Sequence, residues 1–258
     1  MMNLDKDEQL LRRRLLDLAN TAYTRGINSF TDFLNLNEQN IFISLKNELP
    51  MIKYFAYGGF NDAERKILCF CGKENTSNAE EIIYPIVCIK VVPLNQKFSD
   101  SLNHRDFLGA VLNLGLDRSK IGDILIDENE GYIFAHTGIS EYITDQLIKV
   151  KHTMVKSTLI DRKDFNYKPK LKEVVGTVSS VRLDSILSVA FKSSRSSLSG
   201  LIEGGKVSVG GKVILSNSYV LKENDVVSVR GYGKFIYAGT SYQTKKGRYS
   251  VRIMLYIA

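Results

Sequence analysis

The chain has 258 residues, of which 44% are hydrophobic and 24% are charged, and its formal net charge is +7. This length and hydrophobic content can support two or three small cores, and the composition without a low-complexity tract excludes a disordered chain. No apolar run reaches the roughly 18 to 20 residues of a membrane span, and the first residues lack the apolar core of a signal peptide, so we expect a cytoplasmic protein.

The first unit, residues 1–75, is expected to combine two helices with two strands. Apolar residues recur at helical spacing from about Asp5 to Tyr23, which predicts an amphipathic helix, and another helix is predicted after Asn37. Strand-like runs at 52–57 and 67–70 complete the unit.

Residues 76–163 are expected to form a second domain. The predicted strands and helices are, in order, 86–92, 104–114, 124–126, 132–135, 139–147 and 154–160. Their order is strand, helix, strand, strand, helix, strand, which is typical of a ferredoxin-like (βαββαβ), RRM-like sandwich. Such a sheet can bind RNA through aromatic side chains, but Ile86 to Val92 offers no aromatic platform, so structural support is the expected role.

A basic linker is predicted at 164–176, where Pro169 and alternating lysines interrupt the hydrophobic pattern. The third unit then spans 177–258. The three units together predict an α+β fold class.

The most informative stretch runs from Val181 to Phe235, where two helices and a hairpin are predicted. Apolar residues between Leu183 and Phe191 have the spacing of one helical stripe. Ser194 is a favoured cap residue for the second helix, and Arg195 then lies in its first turn, where its charge opposes the helix dipole. An arginine at this place is therefore expected to face an anion. Gly210-Gly211 fits a two-residue hairpin turn.

The basic excess of the chain belongs to this last unit alone. From Gly176 to Ala258 there are 12 Lys and Arg against 4 Asp and Glu, a net charge of +8, whereas the first 175 residues hold 23 and 24, a net charge of −1. Clustered positive charge on a compact unit is typical of phosphate binding, although a charged face can also serve solubility only. RNA is the partner that this pattern favours.

Several dispersed positions of the unit agree with a known family in residue type and spacing. They are Arg182-Leu183-Asp184, Phe191, Ser194-Arg195, Ile202, Gly205, Val207, Val209 and Asp225. Through them, residues 181–235 resemble the small αL RNA-binding domain named for ribosomal protein S4, in which two helices and the adjoining hairpin clamp folded RNA. A turn that commonly reads Val-Asn-Gly in relatives reads Val209-Gly210-Gly211 here, which removes a polar contact. The predicted RNA-binding residues are Arg182, Asp184, Lys192, Ser194, Arg195, Lys206, Lys212, Arg230 and Lys234.

Further blocks extend along the rest of the chain. They are Thr31-Asp32-Phe33-Leu34, Gly58-Gly59-Phe60 with Asp62-Ala63-Glu64-Arg65, and His104-Arg105-Asp106-Phe107-Leu108-Gly109-Ala110 with Leu114-Gly115 and Gly122-Asp123-Ile124. Through these blocks the chain resembles bacterial YlmH-type proteins along nearly its whole length. The resemblance implies a protein of the translation apparatus that binds rRNA, with tRNA as a further RNA partner, on the large ribosomal subunit. It would act in the quality control of subunits that still carry a nascent chain on tRNA, and a monomer is expected.

An RNA-modifying enzyme is the alternative function. Arg182-Leu183-Asp184 is similar to the catalytic tripeptide of pseudouridine synthases, but here it opens a helix of the RNA-binding domain, which favours helix initiation and an RNA contact. His104-Arg105-Asp106 offers acid and base groups, yet adjacent residues of a helix point in different directions. Helix capping, or a second surface for RNA or protein that includes Arg65, His104 and Arg105, is the favoured interpretation. No cofactor-binding glycine loop or adenylate motif appears, so no catalysis and no cofactor are predicted.

A metal site is not expected either. Cys69, Cys71 and Cys88 are three cysteines, whereas a structural zinc site needs four ligands at paired spacing, and the three histidines are scattered. Buried thiols in a reducing compartment are the favoured interpretation.

Overall fold

The computed structural model is an α+β protein with three β-sheets. It describes residues 6–61, 63–72, 79–161, 164–165, 167, 169–245 and 247–257. The chain divides into two compact units, Met1–Tyr167 and Lys168–Ala258, which we call the amino-terminal and carboxy-terminal units. The predicted helix start at Asp5, Asp62 of the Gly58 block and the predicted boundaries at 75, 76 and 163 lie outside the described residues.

Two helices and three short strands form the first part of the amino-terminal unit. They are α1 (Lys6–Arg25), β1 (Ser29–Phe30), α2 (Leu36–Ser44), β2 (Tyr54–Tyr57) and β3 (Ile67–Phe70), and the sheet order is β1-β3-β2. The buried face of α1 consists of Leu15, Ala19 and Ala22, which belong to one core with β3. A capping box starts α2, because Asn35 accepts a hydrogen bond from the Glu38 backbone and the Glu38 carboxylate accepts one from the Asn35 backbone. Both predicted helices and both predicted strands are present.

The second part of this unit has the predicted order of elements and one short extra strand. Its elements are β4 (Ile86–Pro93), α3 (His104–Leu112), β5 (Ile121–Asp127), β6 (Glu130–His136), α4 (Ser140–Gln146), β7 (Lys149–Val150) and β8 (Thr153–Ile160). The sheet order is β5-β6-β4-β8-β7, and every neighbouring pair is antiparallel. Alternate residues of β4, Ile89 and Val91, are buried in a core with Phe107 and Val111 of α3 and Ile143 of α4.

The opposite face of this sheet is covered from within the same unit. Phe134 of β6 is buried in a cluster with Phe33 and Ile67 from the first part. Its ring also lies 5.0 Å from the ring of Phe60 and 5.1 Å from that of Phe165, measured between centroids. The aromatic side chain at the centre of this face therefore contributes to the core, because its ring is surrounded by protein.

The carboxy-terminal unit has two layers, a pair of helices and a sheet. Its elements are β9 (Leu171–Val178), α5 (Leu183–Phe191), α6 (Arg195–Glu203), β10 (Val207–Val209), β11 (Lys212–Val213), β12 (Val226–Val229), β13 (Gly233–Gln243) and β14 (Tyr249–Tyr256). The sheet order is β11-β10-β12-β13-β14-β9. Leu187 of α5 and Ile202 of α6 are fully buried in one core with Val207, Val229 and Phe235 of the sheet. The predicted helix, helix and hairpin are confirmed.

The predicted linker differs from the structure in its second half. Residues 171–176 belong to β9, which pairs along its whole length with β14 at the edge of the sheet. Lys172 and Glu173 of this edge strand are exposed, and charged side chains protect such an edge from pairing with another chain. The partner strand lies more than 70 residues later in the sequence, so the local pattern alone indicates a linker.

Candidate nucleic-acid interface

The turn between α5 and α6 holds two of the predicted cations. Lys192 ends α5 in the left-handed conformation, with φ of 50°. Ser194 is the N-cap of α6, and its hydroxyl accepts a hydrogen bond from the Ser197 backbone at 3.4 Å, as predicted. Arg195 is the first residue of α6, and both Arg195 and Lys192 are exposed. Within the described residues neither cation has an ion-pair partner, so both are available to an anion.

The start of α5 joins Arg182 to Asp184. Arg182 occupies the N-cap, and its Nε lies 3.6 Å from a carboxylate oxygen of Asp184. Asp184 itself is only 6% exposed and also accepts a hydrogen bond from the Ser185 hydroxyl at 3.3 Å. A buried carboxylate is poorly placed to touch RNA, whereas it can hold a neighbouring guanidinium in one orientation. The burial therefore favours a positioning role for Asp184, and its direct RNA contact stays a prediction.

The glycine pair closes the hairpin as predicted. Gly210 and Gly211 both have positive φ, 53° and 81°, and Val209 pairs with Lys212 across the turn. The tightest hairpin turns require two successive residues in the left-handed conformation, and glycine adopts this conformation without steric strain. Lys212 is exposed directly after this turn. Its cross-strand partner, Val209, faces the helices, so Lys212 lies on the helix side of the sheet.

The remaining predicted cations lie on the face of the sheet that is opposite to the helices. Ser208 pairs with Ser228, and Ser228 pairs with Lys234, whereas the alternating valines of these strands point into the core under α5 and α6. Because side chains alternate between the faces of a strand, Lys206, Arg230 and Lys234 lie on the face away from the helices. We call these three residues the sheet-face cations.

The other four cations are called the helix-side cations, and they are Arg182, Lys192, Arg195 and Lys212. The structure thus divides the predicted RNA-binding residues between two faces of one small unit. A single flat RNA surface cannot contact both faces equally, so the two groups are expected to differ in importance.

Two sheet-face cations flank a shallow cavity of about 250 Å³. The Arg230 backbone donates a hydrogen bond to the Lys206 carbonyl at 2.9 Å, which brings the two residues side by side. Farther along the same face, the Lys234 ammonium lies 5.1 Å from the ring centroid of Tyr256. Tyr256 and Arg252, which no sequence pattern singled out, share this face by alternation along β14. Their spacing of four residues was visible, but the face could be assigned only with the strand pairing known.

Arg65, predicted for a second surface, is largely used inside the amino-terminal unit. Its Nε donates to the Ile121 carbonyl at 2.9 Å, and its Nη2 donates to the Phe33 carbonyl at 2.9 Å. Asp123 completes the connection by accepting hydrogen bonds from the backbone N–H groups of Glu64 at 2.5 Å and Arg65 at 3.1 Å. The block that starts at Gly58 and the block around Asp123 are therefore linked in space, and this arginine joins them.

Other charged residues lie near the hydrogen bonds of Arg65 and Asp123. Burial, together with the nearby charge of Arg65, lowers the pKa of Arg118 to about 10. Asp32 forms ion pairs with Lys120 at 2.5 Å and Arg14 at 3.0 Å. Burial by itself raises the pKa of Asp32, but the hydrogen bond and the charge of Lys120, with the charge of Arg14, outweigh it and hold the pKa below its ordinary value. These contacts stabilise the amino-terminal unit.

The His104 block begins α3 with a capping box. The Asn103 side chain accepts hydrogen bonds from the backbone of Arg105 and Asp106, and the Asp106 carboxylate accepts one from the Asn103 backbone at 3.0 Å. The predicted capping role is thus confirmed for Asp106. His104 and Arg105 are exposed, so a second surface at these two residues stays a prediction.

The cysteines are buried thiols. Burial raises the pKa of Cys88 to about 12, and burial together with the neighbouring Cys71 raises the pKa of Cys69 to about 12. A thiol with such a pKa is a poor nucleophile and a poor metal ligand at neutral pH. Within the described part of the chain, no group of three or more His, Cys, Asp or Glu side chains could hold a metal ion. Among the same residues, no helix combines the length and the apolar composition needed to cross a bilayer.

Comparison with known proteins matches both parts of the chain to family models. Residues 84–164 match the model described as "Putative RNA-binding domain in YlmH", and residues 181–227 match the S4 domain. The matched S4 residues contain both helices and the β10–β11 hairpin, hence the helix-side cations. No catalytic domain is found among these matches.

The chain is also similar to two known proteins. Over 250 residues the chain is 28% identical to Ribosome-associated protein quality control protein P2 of Bacillus subtilis (strain 168), covering 95% of this chain and 94% of that protein. It is also similar to the solved structure of Cell division protein ylmH from Streptococcus pneumoniae, at 19% identity and a TM-score of 0.49, over 64% of this chain and 97% of that chain. The chain is thus similar to YlmH-family proteins, with a YlmH RNA-binding domain followed by a C-terminal S4 domain.

Proposed function

We propose that this protein is a non-catalytic RNA-binding factor that acts on ribosomes. It binds rRNA on the large ribosomal subunit, with tRNA as a further contact, and serves the quality control of stalled complexes of nascent chain and tRNA. The observation that carries the proposal is the set of helix-side cations, which are exposed on the S4 domain around α5 and α6. The similarity to the quality control protein of Bacillus subtilis over 95% of the chain supports the pathway.

Electrostatics supports RNA as the ligand. The residues from Gly176 onward have a net charge of +8, and Lys192 and Arg195 are exposed at the turn between α5 and α6. Phosphate contacts release condensed counterions, so the affinity is expected to fall steeply as the salt concentration rises. Because α5 and α6 are packed rigidly on the sheet, the shape of a folded RNA should matter more than its base sequence.

The domain organisation is part of the proposal. We infer a ferredoxin-like middle domain at about 76–163, since the four long strands of its sheet follow the order β5-β6-β4-β8 and all are antiparallel. In the order of the βαββαβ motif these are strands two, three, one and four. A unit at 1–75 precedes it and the RNA-binding domain at 177–258 follows. We also infer a cytoplasmic monomer.

An RNA-modifying activity receives no specific support. The residue that would be catalytic by analogy with pseudouridine synthases, Asp184, is 6% exposed and faces Arg182 of its own helix. The Asp106 carboxylate accepts a hydrogen bond from the Asn103 backbone N–H at the start of α3, as a helix cap. Recognition without chemistry therefore accounts better for both carboxylates.

Charge reversal at Arg195 tests the proposal. Arg195→Glu should weaken binding to purified large ribosomal subunits by more than about 1 kcal/mol, or roughly fivefold, because it replaces attraction to phosphate with repulsion. Arg13→Glu is the matched control, since it makes the same charge change at an exposed residue of α1. Filter-binding titrations at several salt concentrations would measure both, with tRNA as a second ligand.

Two results would contradict the proposal. Equal affinity of Arg195→Glu and the wild type would remove Arg195 from the interface. Failure of the wild-type protein to bind large subunits or tRNA at low ionic strength would remove the RNA-binding function altogether. Turnover of a nucleoside by the purified protein would refute the absence of catalysis.

A further inference from the structure

A groove lies on the amino-terminal unit, between α3 and the connection from α4 to β7. Its volume is about 470 Å³. One wall is the side of α3 that carries Arg105 and Gly109, and the other wall is formed by Ile148, Lys149 and Lys151. This volume falls in the range of roughly 300 to 1,000 Å³ typical of pockets for small ligands.

The groove exists because α3 carries a glycine where a side chain would fill the space. An added Cβ at Gly109 would have no atom within 4 Å. Glycine in the middle of a helix costs up to about 1 kcal/mol relative to alanine, so Gly109 is not explained by helix stability. On the opposite wall Ile148 is 58% exposed, which is unusual for a large aliphatic side chain beside a cavity. The groove therefore offers both open space and an apolar surface.

The charges around the groove are mostly positive. Arg105, Lys149 and Lys151 line it, and within the described residues none of the three is in an ion pair. The carboxylate that lines it belongs to Asp106, which already accepts a hydrogen bond from the Asn103 backbone as a helix cap. Three cationic side chains line the groove together with one carboxylate that is already hydrogen-bonded, so the groove attracts anions. Residues 84–164 as a whole carry no excess of positive charge.

We propose that this groove binds single-stranded RNA, with one unstacked nucleotide inserted between α3 and the β7 connection. Its phosphate is held by Arg105, Lys149 and Lys151, and its base lies against Ile148. A nucleotide carries both an anionic group and an apolar face, which matches the two features of the groove. A double helix presents a broad ridge of phosphates and cannot enter such a slot. This inference rests on the proposed function, and it adds a second RNA site outside the S4 domain.

Gly109→Glu is the variant that tests the site, because it fills the groove and places a negative charge among the three cations. The full-length protein would be titrated with a fluorescein-labelled oligo(U) of 12 nucleotides and, separately, with an RNA duplex of 16 base pairs. We expect the affinity of Gly109→Glu for oligo(U) to fall at least fivefold, roughly the effect of losing one or two phosphate contacts, with a smaller loss for the duplex.

Two matched variants show whether the loss of affinity for oligo(U) comes from the groove or from a change in folding or in net charge. Gly109→Ala should bind oligo(U) within about twofold of the wild type, because one methyl group leaves the groove open, and its melting temperature should not fall. Asn20→Glu adds the same negative charge on α1, at an exposed residue outside the groove, and should also bind as the wild type does. Arg195→Glu, measured in parallel, reports on the S4 domain.

The possible results distinguish a failure of the groove proposal from a failure of the proposed function. Wild-type affinity of Gly109→Glu for oligo(U), with Arg195→Glu weakened, would overturn the groove site and leave the S4 interface intact. No binding of either RNA by the wild-type protein would overturn both. If polyglutamate, and not oligo(U), bound the wild type and were lost in Gly109→Glu, the occupant would be an acidic peptide and the RNA assignment would be refuted.

Discussion

Arg65 connects two parts of the amino-terminal unit, and its removal should loosen that connection. Arg65→Ala deletes two hydrogen bonds of 2.9 Å to the carbonyls of Ile121 and Phe33, and a longer one of 3.3 Å to the carbonyl of Arg118. Hydrogen bonds from a charged donor contribute about 1.5 to 3 kcal/mol each. Since the side chain is only partly buried and the bonds are not additive, we expect a loss of about 2 to 4 kcal/mol in the free energy of unfolding of this unit.

Hydrogen exchange measured by mass spectrometry is the appropriate assay. The chain contains two compact units, so we do not expect a single global unfolding transition. It also has no tryptophan whose fluorescence could report the unfolding of either unit. Peptides that cover residues 29–36, 63–70 and 118–125 should lose protection in Arg65→Ala, whereas peptides of the carboxy-terminal unit should not change.

A surface pair provides the control for Arg65. Arg14 is 58% exposed in its side chain and forms one ion pair with Asp32, so Arg14→Ala should cost no more than about 0.5 kcal/mol. Unchanged protection in Arg65→Ala would refute the structural role. A loss of RNA affinity in Arg65→Ala without any loss of protection would instead show that Arg65 belongs to an RNA surface.

Two other predictions concern the same unit. The pKa of Asp32 is lower in the folded protein than in the unfolded chain, so its ion pairs contribute stability above the unfolded pKa of about 3.9, and that contribution disappears as the pH falls through the folded value. The difference in urea midpoint between the wild type and Asp32→Asn should therefore be constant above about pH 5 and shrink below about pH 4, and a constant difference down to pH 2.5 would contradict this origin. Gly59 has φ of 104°, and an added Cβ would lie 2.2 Å from the Phe134 ring, so Gly59→Ala should destabilise by about 2 to 5 kcal/mol. Gly115 has φ of 79° with nothing within 4 Å, so Gly115→Ala should show only the backbone strain of about 1 to 2 kcal/mol when both variants are unfolded in urea, and equal losses in the two variants would exclude the clash with Phe134.

The local patterns of the S4 domain were sufficient to predict its elements. The apolar spacing from Leu183 to Phe191, the cap at Ser194 and the glycine pair at 210 and 211 each act over a few residues. Hydrogen bonds and backbone angles of this range depend on neighbouring residues alone, so they are visible in the sequence. The capping box at Asn103 and Asp106 has the same local origin.

Only the tertiary structure decided which predicted residues act together. Arg195 and Arg230 both looked like parts of one basic surface, but the pairing of β10 with β12 places Arg230 on the face away from the helices. Arg65 looked like a surface charge, yet its partners are carbonyls 32 and 56 residues away in the chain. The groove beside Gly109 likewise requires Lys149 and Lys151 to be brought against α3.

The physical reason for this division is the range of the interactions. Helix periodicity, caps and turns are set by contacts between near neighbours, and the amino-acid sequence by itself determined them together with the concentration of positive charge after Gly176. The face on which a strand residue lies, and the burial of a charged group such as Asp184, depend on packing between distant segments. Those contacts form only when the whole unit folds, so they determine the two cationic faces and the groove.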